Sequence, residues 1–175
     1  MTVKICKLNR LMDEMEKNEL LTLLAKFRCS RNKDSEYFLK KIAMRHDSRD
    51  ISRTYLVMDE NEQEILGYFT LALKCLSLQD SDLHQSIIDS MNLKDGIAQA
   101  YLLGQLARSA DAERGLGREM LRTALEGFSE GKSMFGCRMV RLDCKDELIR
   151  YYESFGFQRI RKNYEKDLSQ MAIFI

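Results

Sequence analysis

The stretch GQLARSADAERGLGREMLRTALEGF, residues 104–128, decides the fold. It opens as a short apolar strand, passes through a turn holding Gly115-Leu116-Gly117, and continues as an amphipathic helix with Met120, Leu121, Ala124, Leu125 and Phe128 on one face. A strand that feeds a glycine turn opening a helix aims several free backbone N–H groups at one point. The positive end of the helix dipole adds to them, so the turn suits an anion such as a pyrophosphate. A glycine-rich connection without any ligand is the plainer reading of Gly-x-Gly alone.

Residues 138–157, RMVRLDCKDELIRYYESFGF, repeat the theme: a strand, then a helix that ends at Gly156. The two segments together resemble the GNAT superfamily of acetyl-CoA-dependent N-acetyltransferases. The family signature, Gln/Arg-x-x-Gly-x-Gly/Ala, is met by Ala112-Glu113-Arg114-Gly115-Leu116-Gly117. The family's later aromatic-Tyr-x-x-x-Gly-Phe segment is met by Tyr151-Tyr152-Glu153-Ser154-Phe155-Gly156-Phe157. Ala112 departs from the Gln or Arg usual at its position, and Lys145 stands where many members carry Asn. Lys145-Asp146-Glu147, with Phe27-Arg28-Cys29, Ser52–Val57 and Leu66–Leu73, resembles the toxin-like branch that acetylates aminoacyl-tRNA.

The resemblance implies an α/β (α+β) fold, a mixed, mostly antiparallel central sheet flanked by helices, in a single acetyltransferase domain over residues 1–175. It implies acetyl-CoA as cosubstrate, held by Leu106, Ala107, Arg108, Arg114, Gly115, Leu116, Gly117, Arg118 and Lys145, with the strand Gly104–Arg108 gripping the pantetheine arm. Tyr152 takes the position of the acid towards the coenzyme A sulfur. On spacing alone Tyr152 shares a helical face with Leu148, Ile149 and Phe155 and reads as a core aromatic. The glycine turn upstream and Gly156-Phe157 just after it favour the acid. Asp143, Asp146 and Glu147 read as a helix start that complements the dipole.

Composition sets the frame. The chain has 175 residues, 45% hydrophobic and 31% charged, enough for one good core. No apolar run reaches the roughly 20 residues that span a bilayer. The start MTVKICKLNRLMDEMEKNELL lacks the features of a signal peptide, so a cytoplasmic protein with no membrane partner is expected. The cysteines Cys6, Cys29, Cys75, Cys137 and Cys144 form no Cys-x-x-Cys pair, and with only two His a metal site is not expected. The net charge of +1 is unevenly spread. Residues 1–54 are basic and residues 55–100 acidic. Within the basic part Arg31, Lys33, Lys40, Lys41 and Arg45 are candidate contacts for a polyanion; a solvated helix face explains them equally.

Periodicity predicts a strand over 3–8, helices over 11–27 and 34–46 (the latter capped by Asp34 or Ser35), and a hairpin of 54–58 with 65–76. A short helix over 80–91, a strand over 99–107 and a helix over 118–128 follow. The chain closes with a strand over 139–144, a helix over 146–155 and a strand over 171–175. The acceptor is a primary amine. It is the α-amine of aminoacyl-tRNA if the branch resemblance holds, with an antitoxin protein as partner. The alternatives are a small-amine or protein/peptide N-acetyltransferase, favoured by the weak overall charge, and a non-catalytic coenzyme A-binding module, favoured by Ala112. A homodimer is left open.

Overall fold

Alternating apolar residues at 54–58, 65–72, 98–107 and 139–144 build the strands around which the chain folds. The computed structural model describes residues 3–61, 63–91 and 93–175. In chain order these are β1 (Val3–Lys7), α1 (Leu8–Glu14), α2 (Lys17–Lys26), α3 (Lys33–Lys41), α4 (Ala43–Ser48), β2 (Arg53–Asp59), β3 (Ile65–Ser77) and α5 (Gln85–Asp89). Then come β4 (Ile97–Arg108), α6 (Leu116–Phe135), β5 (Met139–Cys144), a 3-10 turn at Asp146–Leu148, α7 (Ile149–Glu153), β6 (Gln158–Asn163) and β7 (Leu168–Phe174). The strands form one seven-stranded sheet in the order β1-β2-β3-β4-β5-β7-β6. All the pairs described are antiparallel except β4 with β5. This is the mixed, mostly antiparallel sheet expected.

Two compact units divide the chain, Met1–Ala72 with Gly104–Glu126, and Leu73–Leu103 with Gly127–Ile175. The first packs α1–α4 on β2 and β3 around Leu8, Leu20, Leu24, Leu39, Leu56 and Tyr68, all essentially sealed from water, with Ala107 of β4 in the same cluster. Tyr68 anchors it. Phe27 meets its ring edge-on at 5.6 Å, and Phe38 lies parallel to it at 6.3 Å. Gly67 beside it leaves little room for a side chain, because a Cβ there would sit 2.7 Å from Met120 Sδ and 3.0 Å from the Ala107 carbonyl. The second unit buries Leu76, Leu78, Ala98, Ala100, Met139, Ile160 and Ala172. Its β7 pairs on one side with β5 from Met139↔Phe174 to Cys144↔Ser169, and on the other with β6. The parallel β4–β5 contact is two rungs long, Tyr101↔Val140 and Leu102↔Arg141.

Several boundaries differ from the sequence expectation. Residues 11–27 are not one helix: α1 ends at Glu14, and Met15 and Glu16 take extended dihedrals before α2 starts. Residues 34–46 likewise break at Ile42, whose φ of −116° departs from the helical value. The cap of α3 is Asn32, which accepts from Ser35 N at 3.1 Å, not Asp34 or Ser35. The 80–91 helix shrinks to five residues with His84 as its cap. The α6 helix runs seven residues beyond the expected end. The 146–155 helix begins as a 3-10 turn. The β6 strand was not foreseen, and β7 starts earlier than position 171. Among the described residues no helix is long and apolar enough to cross a membrane.

Candidate active site

The glycine turn lies in the first unit. It is fastened behind β4 by backbone bonds from Ser109 N to Leu66 O at 2.7 Å and from Ala110 N to Arg28 O at 3.2 Å. Arg108, expected at the cosubstrate, holds the turn with its side chain: its guanidinium donates to Ala112 O at 2.8 Å. Ala112 itself is 8% exposed. The side chain at the departing position is buried, and it adds no polar group to the turn.

Gly115 has φ of +99°, a conformation that L side chains rarely adopt, and a Cβ built on it would meet nothing within 4 Å. Conformation demands glycine here, and the space before it is open. Gly115 O accepts from Glu119 N at 3.3 Å and from Arg118 N at 2.8 Å, which makes Gly115 the cap of α6. A glycine cap offers no side chain to the orphan donors. Leu116 N reaches Glu113 O only at 3.5 Å, and Gly117 N finds no acceptor among the described residues. Those donors, at the positive end of a 20-residue helix, fit a phosphate oxygen. Arg114 and Arg118 are exposed beside them. Leu106 is half-buried and Ala107 is part of the core, so Ala107 has only its backbone to offer a ligand.

The second unit holds Tyr152 on α7. Its ring is 7% exposed, with Tyr151 edge-on at 5.1 Å and Phe157 at 5.8 Å. Burial pushes its phenol well above the ordinary value, and Cys144 and Tyr151 add to the shift. The hydroxyl makes no hydrogen bond to any described residue. Both readings of Tyr152 therefore have a footing: the ring is core, and the hydroxyl is a protonated donor without a partner among the described residues. Cys144, the last residue of β5, is held up to about 11 by burial and by Asp146 and Asp143, so it stays a thiol. Lys145 is exposed at the cap of the 3-10 turn, and its carbonyl accepts Leu148 N at 2.9 Å. Asp146 does more than start a helix. It accepts from Lys162 Nζ and Ser169 Oγ, each at 2.7 Å, tying the turn to the β6–β7 hairpin. Those bonds hold its carboxyl below the usual range.

The basic segment is less uniform than the sequence shows. Glu36 accepts from Lys40 at 2.7 Å, from Lys33 at 3.1 Å and from Cys29 N at 2.9 Å, and these bonds hold its carboxyl down to about 2. Arg31, Lys41 and Arg45 are exposed, and no ion pair to a described residue engages them. An acidic residue four positions before a lysine was the available signal for Glu36. Among the described residues no group of His, Cys, Asp or Glu is arranged to hold a metal ion.

No family model matches the chain, and no curated protein does. Solved structures match it closely in shape. AtaT complexed with acetyl-methionyl-tRNAfMet superposes with a TM-score of 0.77 at 17% identity, covering 99% of this chain and 95% of that one. A tyrosine-to-phenylalanine mutant of KacT gives a TM-score of 0.79 at 15% identity, covering 99% and 95%. A mutant AtaT toxin bound to the C-terminus of the antitoxin AtaR and acetyl-CoA gives 0.71 at 17%, covering 98% and 92%. The chain shares its fold with these structures. At these identities the likeness speaks for the fold, and the chemistry has to be argued from the residues.

Proposed function

We propose that this chain is an acetyl-CoA-dependent N-acetyltransferase, acting as one domain in the cytoplasm, whose acceptor is the α-amine of an aminoacyl-tRNA. The observation that carries the acceptor is the likeness over 99% of the chain to AtaT in complex with acetyl-methionyl-tRNAfMet. The open turn at Gly115–Gly117 supports the cosubstrate, with the pyrophosphate on the amides of Leu116 and Gly117. By the family resemblance the β4 backbone from Gly104 to Arg108 takes the pantetheine, and Arg114, Arg118 and Lys145 lie towards the phosphates.

The thioester is already activated, so the protein has little bond-making to do. The neutral amine forms the new N–C bond as the C–S bond breaks, and its surplus proton passes to water. Tyr152 Oη–H protonates the departing sulfur and regains its proton from water; burial raises the phenol above its ordinary value, so at neutral pH it holds its proton until the thiolate takes it. Arg31, Lys41 and Arg45 take phosphates of the acceptor. Lys33 and Lys40 serve first to neutralise Glu36. An antitoxin protein is the proposed partner, by analogy with the AtaR complex. The test is turnover of acetyl-CoA with bulk charged tRNA, polyamines and peptides in parallel. Acetylation of a polyamine or peptide where charged tRNA is left untouched overturns the acceptor in favour of the small-amine or peptide enzyme. No turnover with any of the three returns the chain to a coenzyme A-binding module.

A further inference from the structure

Every polar group of Ser35 is engaged. Its N–H donates to Asn32 Oδ1 at 3.1 Å, its carbonyl accepts from Tyr68 Oη at 2.6 Å, and its hydroxyl donates to Gln105 Oε1 at 2.8 Å. Ser35 is 2% exposed and Tyr68 is fully buried. A residue held at three points in the core has no rotational freedom left, so it fixes the carboxamide it touches. Gln105 sits in β4 two residues before Ala107, on the face that turns to the core of the first unit, where an apolar residue is expected. It is half-exposed. With Oε1 taken, its two Nε2–H donors find no acceptor among the described residues. Ser35 belongs to α3, which carries Lys41 and is followed directly by α4 with Arg45.

We infer that Gln105 binds the acceptor, its Nε2 donating to the ester carbonyl of the aminoacyl group, and that Ser35 is the residue that positions it. The inference rests on the aminoacyl-tRNA reading above. An α-aminoacyl ester carries its carbonyl oxygen next to the carbon that bears the attacking amine, so one bond there aims the nucleophile. A carboxamide suits the task and a carboxylate does not. A Glu beside the amine would hold it as ammonium, which cannot attack. A guanidinium would be stronger but would compete for the phosphates that Arg31, Lys41 and Arg45 are placed to take.

Gln105→Glu separates this from a structural role. It keeps an oxygen for the Ser35 hydroxyl, and with it the network, but removes both donors. Steady-state kinetics with bulk charged tRNA, beside calorimetric titration of acetyl-CoA, reads the result. Gln105→Leu and Gln105→Glu each lower kcat/KM for charged tRNA by about 10–100-fold, the scale of one lost hydrogen bond that leaves a polar partner unpaired. Their acetyl-CoA affinity stays within about twofold, and the pH–rate profile of Gln105→Glu moves to higher pH as the amine is held protonated. Ser35→Ala raises KM for charged tRNA with kcat less affected. A Gln105→Glu enzyme with wild-type kinetics overturns the inference while leaving the acetyltransferase intact. Loss of acetyl-CoA binding in all three variants assigns the pair to the scaffold and overturns it as well. A wild-type protein that acetylates polyamines or peptides but not charged tRNA removes the acceptor reading, and this inference goes with it.

Discussion

If tRNA is the acceptor, affinity must carry the salt signature of phosphate contacts, and the structure fixes its size. Of the five cations on and around α3, Lys33 and Lys40 are committed to Glu36, while Arg31, Lys41 and Arg45 are exposed without an ion pair to a described residue. Each phosphate contact contributes roughly 0.7–0.9 to the slope of log K against log salt through released counterions. Replacing Arg31, Lys41 and Arg45 by Gln should therefore flatten the slope by about 2–3. Between 50 and 200 mM salt that is a difference of roughly 20–40-fold in how much acceptor affinity is lost. The assay is KM for charged tRNA at several potassium chloride concentrations, with KM for acetyl-CoA as the internal control. The Lys33/Lys40 double replacement should leave the slope nearly alone and lower stability instead, because Glu36 is then a largely enclosed carboxylate with fewer partners. A triple variant whose slope equals that of the wild type, or a steeper effect from Lys33 and Lys40 than from the exposed three, would refute the assignment.

Tyr152→Phe keeps the ring and should retain fold and acetyl-CoA affinity while kcat falls by roughly 100-fold, the scale of a lost general acid; unchanged turnover in a folded mutant returns the residue to the core. Gly117→Glu should abolish acetyl-CoA binding by placing a side chain and a negative charge before the unpaired amides, and calorimetry on the folded variant reads this directly. Gly67→Ala should lower stability by about 1–3 kcal/mol, since its Cβ meets Met120 Sδ and a backbone carbonyl; a denaturant midpoint within error of wild type contradicts that packing. Because Glu36 is depressed from 4.5 to about 2, its contribution is fully present above about pH 4.5 and is lost as pH falls towards 2. Wild type and Glu36→Gln should therefore differ in melting temperature at pH 7 and converge near pH 2.

Much of this was legible in the residues, and what was not has physical causes. Met139–Cys144 puts Val140, Leu142 and Cys144 on one apolar face, and the β2–β3 hairpin is largely buried and rich in β-branched and aromatic residues, so these elements were read almost to the residue. The glycine turn showed itself because its φ of +99° leaves few residue choices. The β6 strand, QRIRKN, buries only Ile160 and lies at the sheet's edge, so its pattern carries one apolar point and no period. The breaks at Met15–Glu16 and Ile42 involve neither Gly nor Pro, and tertiary packing alone sets them. In the candidate site, the family resemblance pointed to Tyr152, while the bonding around the site left no mark in the sequence. The bonds from the Arg108 guanidinium to Ala112 O and from the Ser35 hydroxyl to Gln105 join residues far apart in type or in sequence, and no local pattern announces them.

The strand order has a consequence for when this protein becomes itself. The β7 strand is made last of the seven, yet it lies between β5 and β6, and each of those depends on it for its long antiparallel ladder. A ribosome that has translated through Tyr152 has made most of α7 but not the strand that completes its unit. The first unit has its sequence in hand once residue 126 emerges, so the phosphate cradle can form early while the half that carries the phenol waits for the final ladder. The ladder that joins the unit carrying Tyr152 is closed only when β7 has been made.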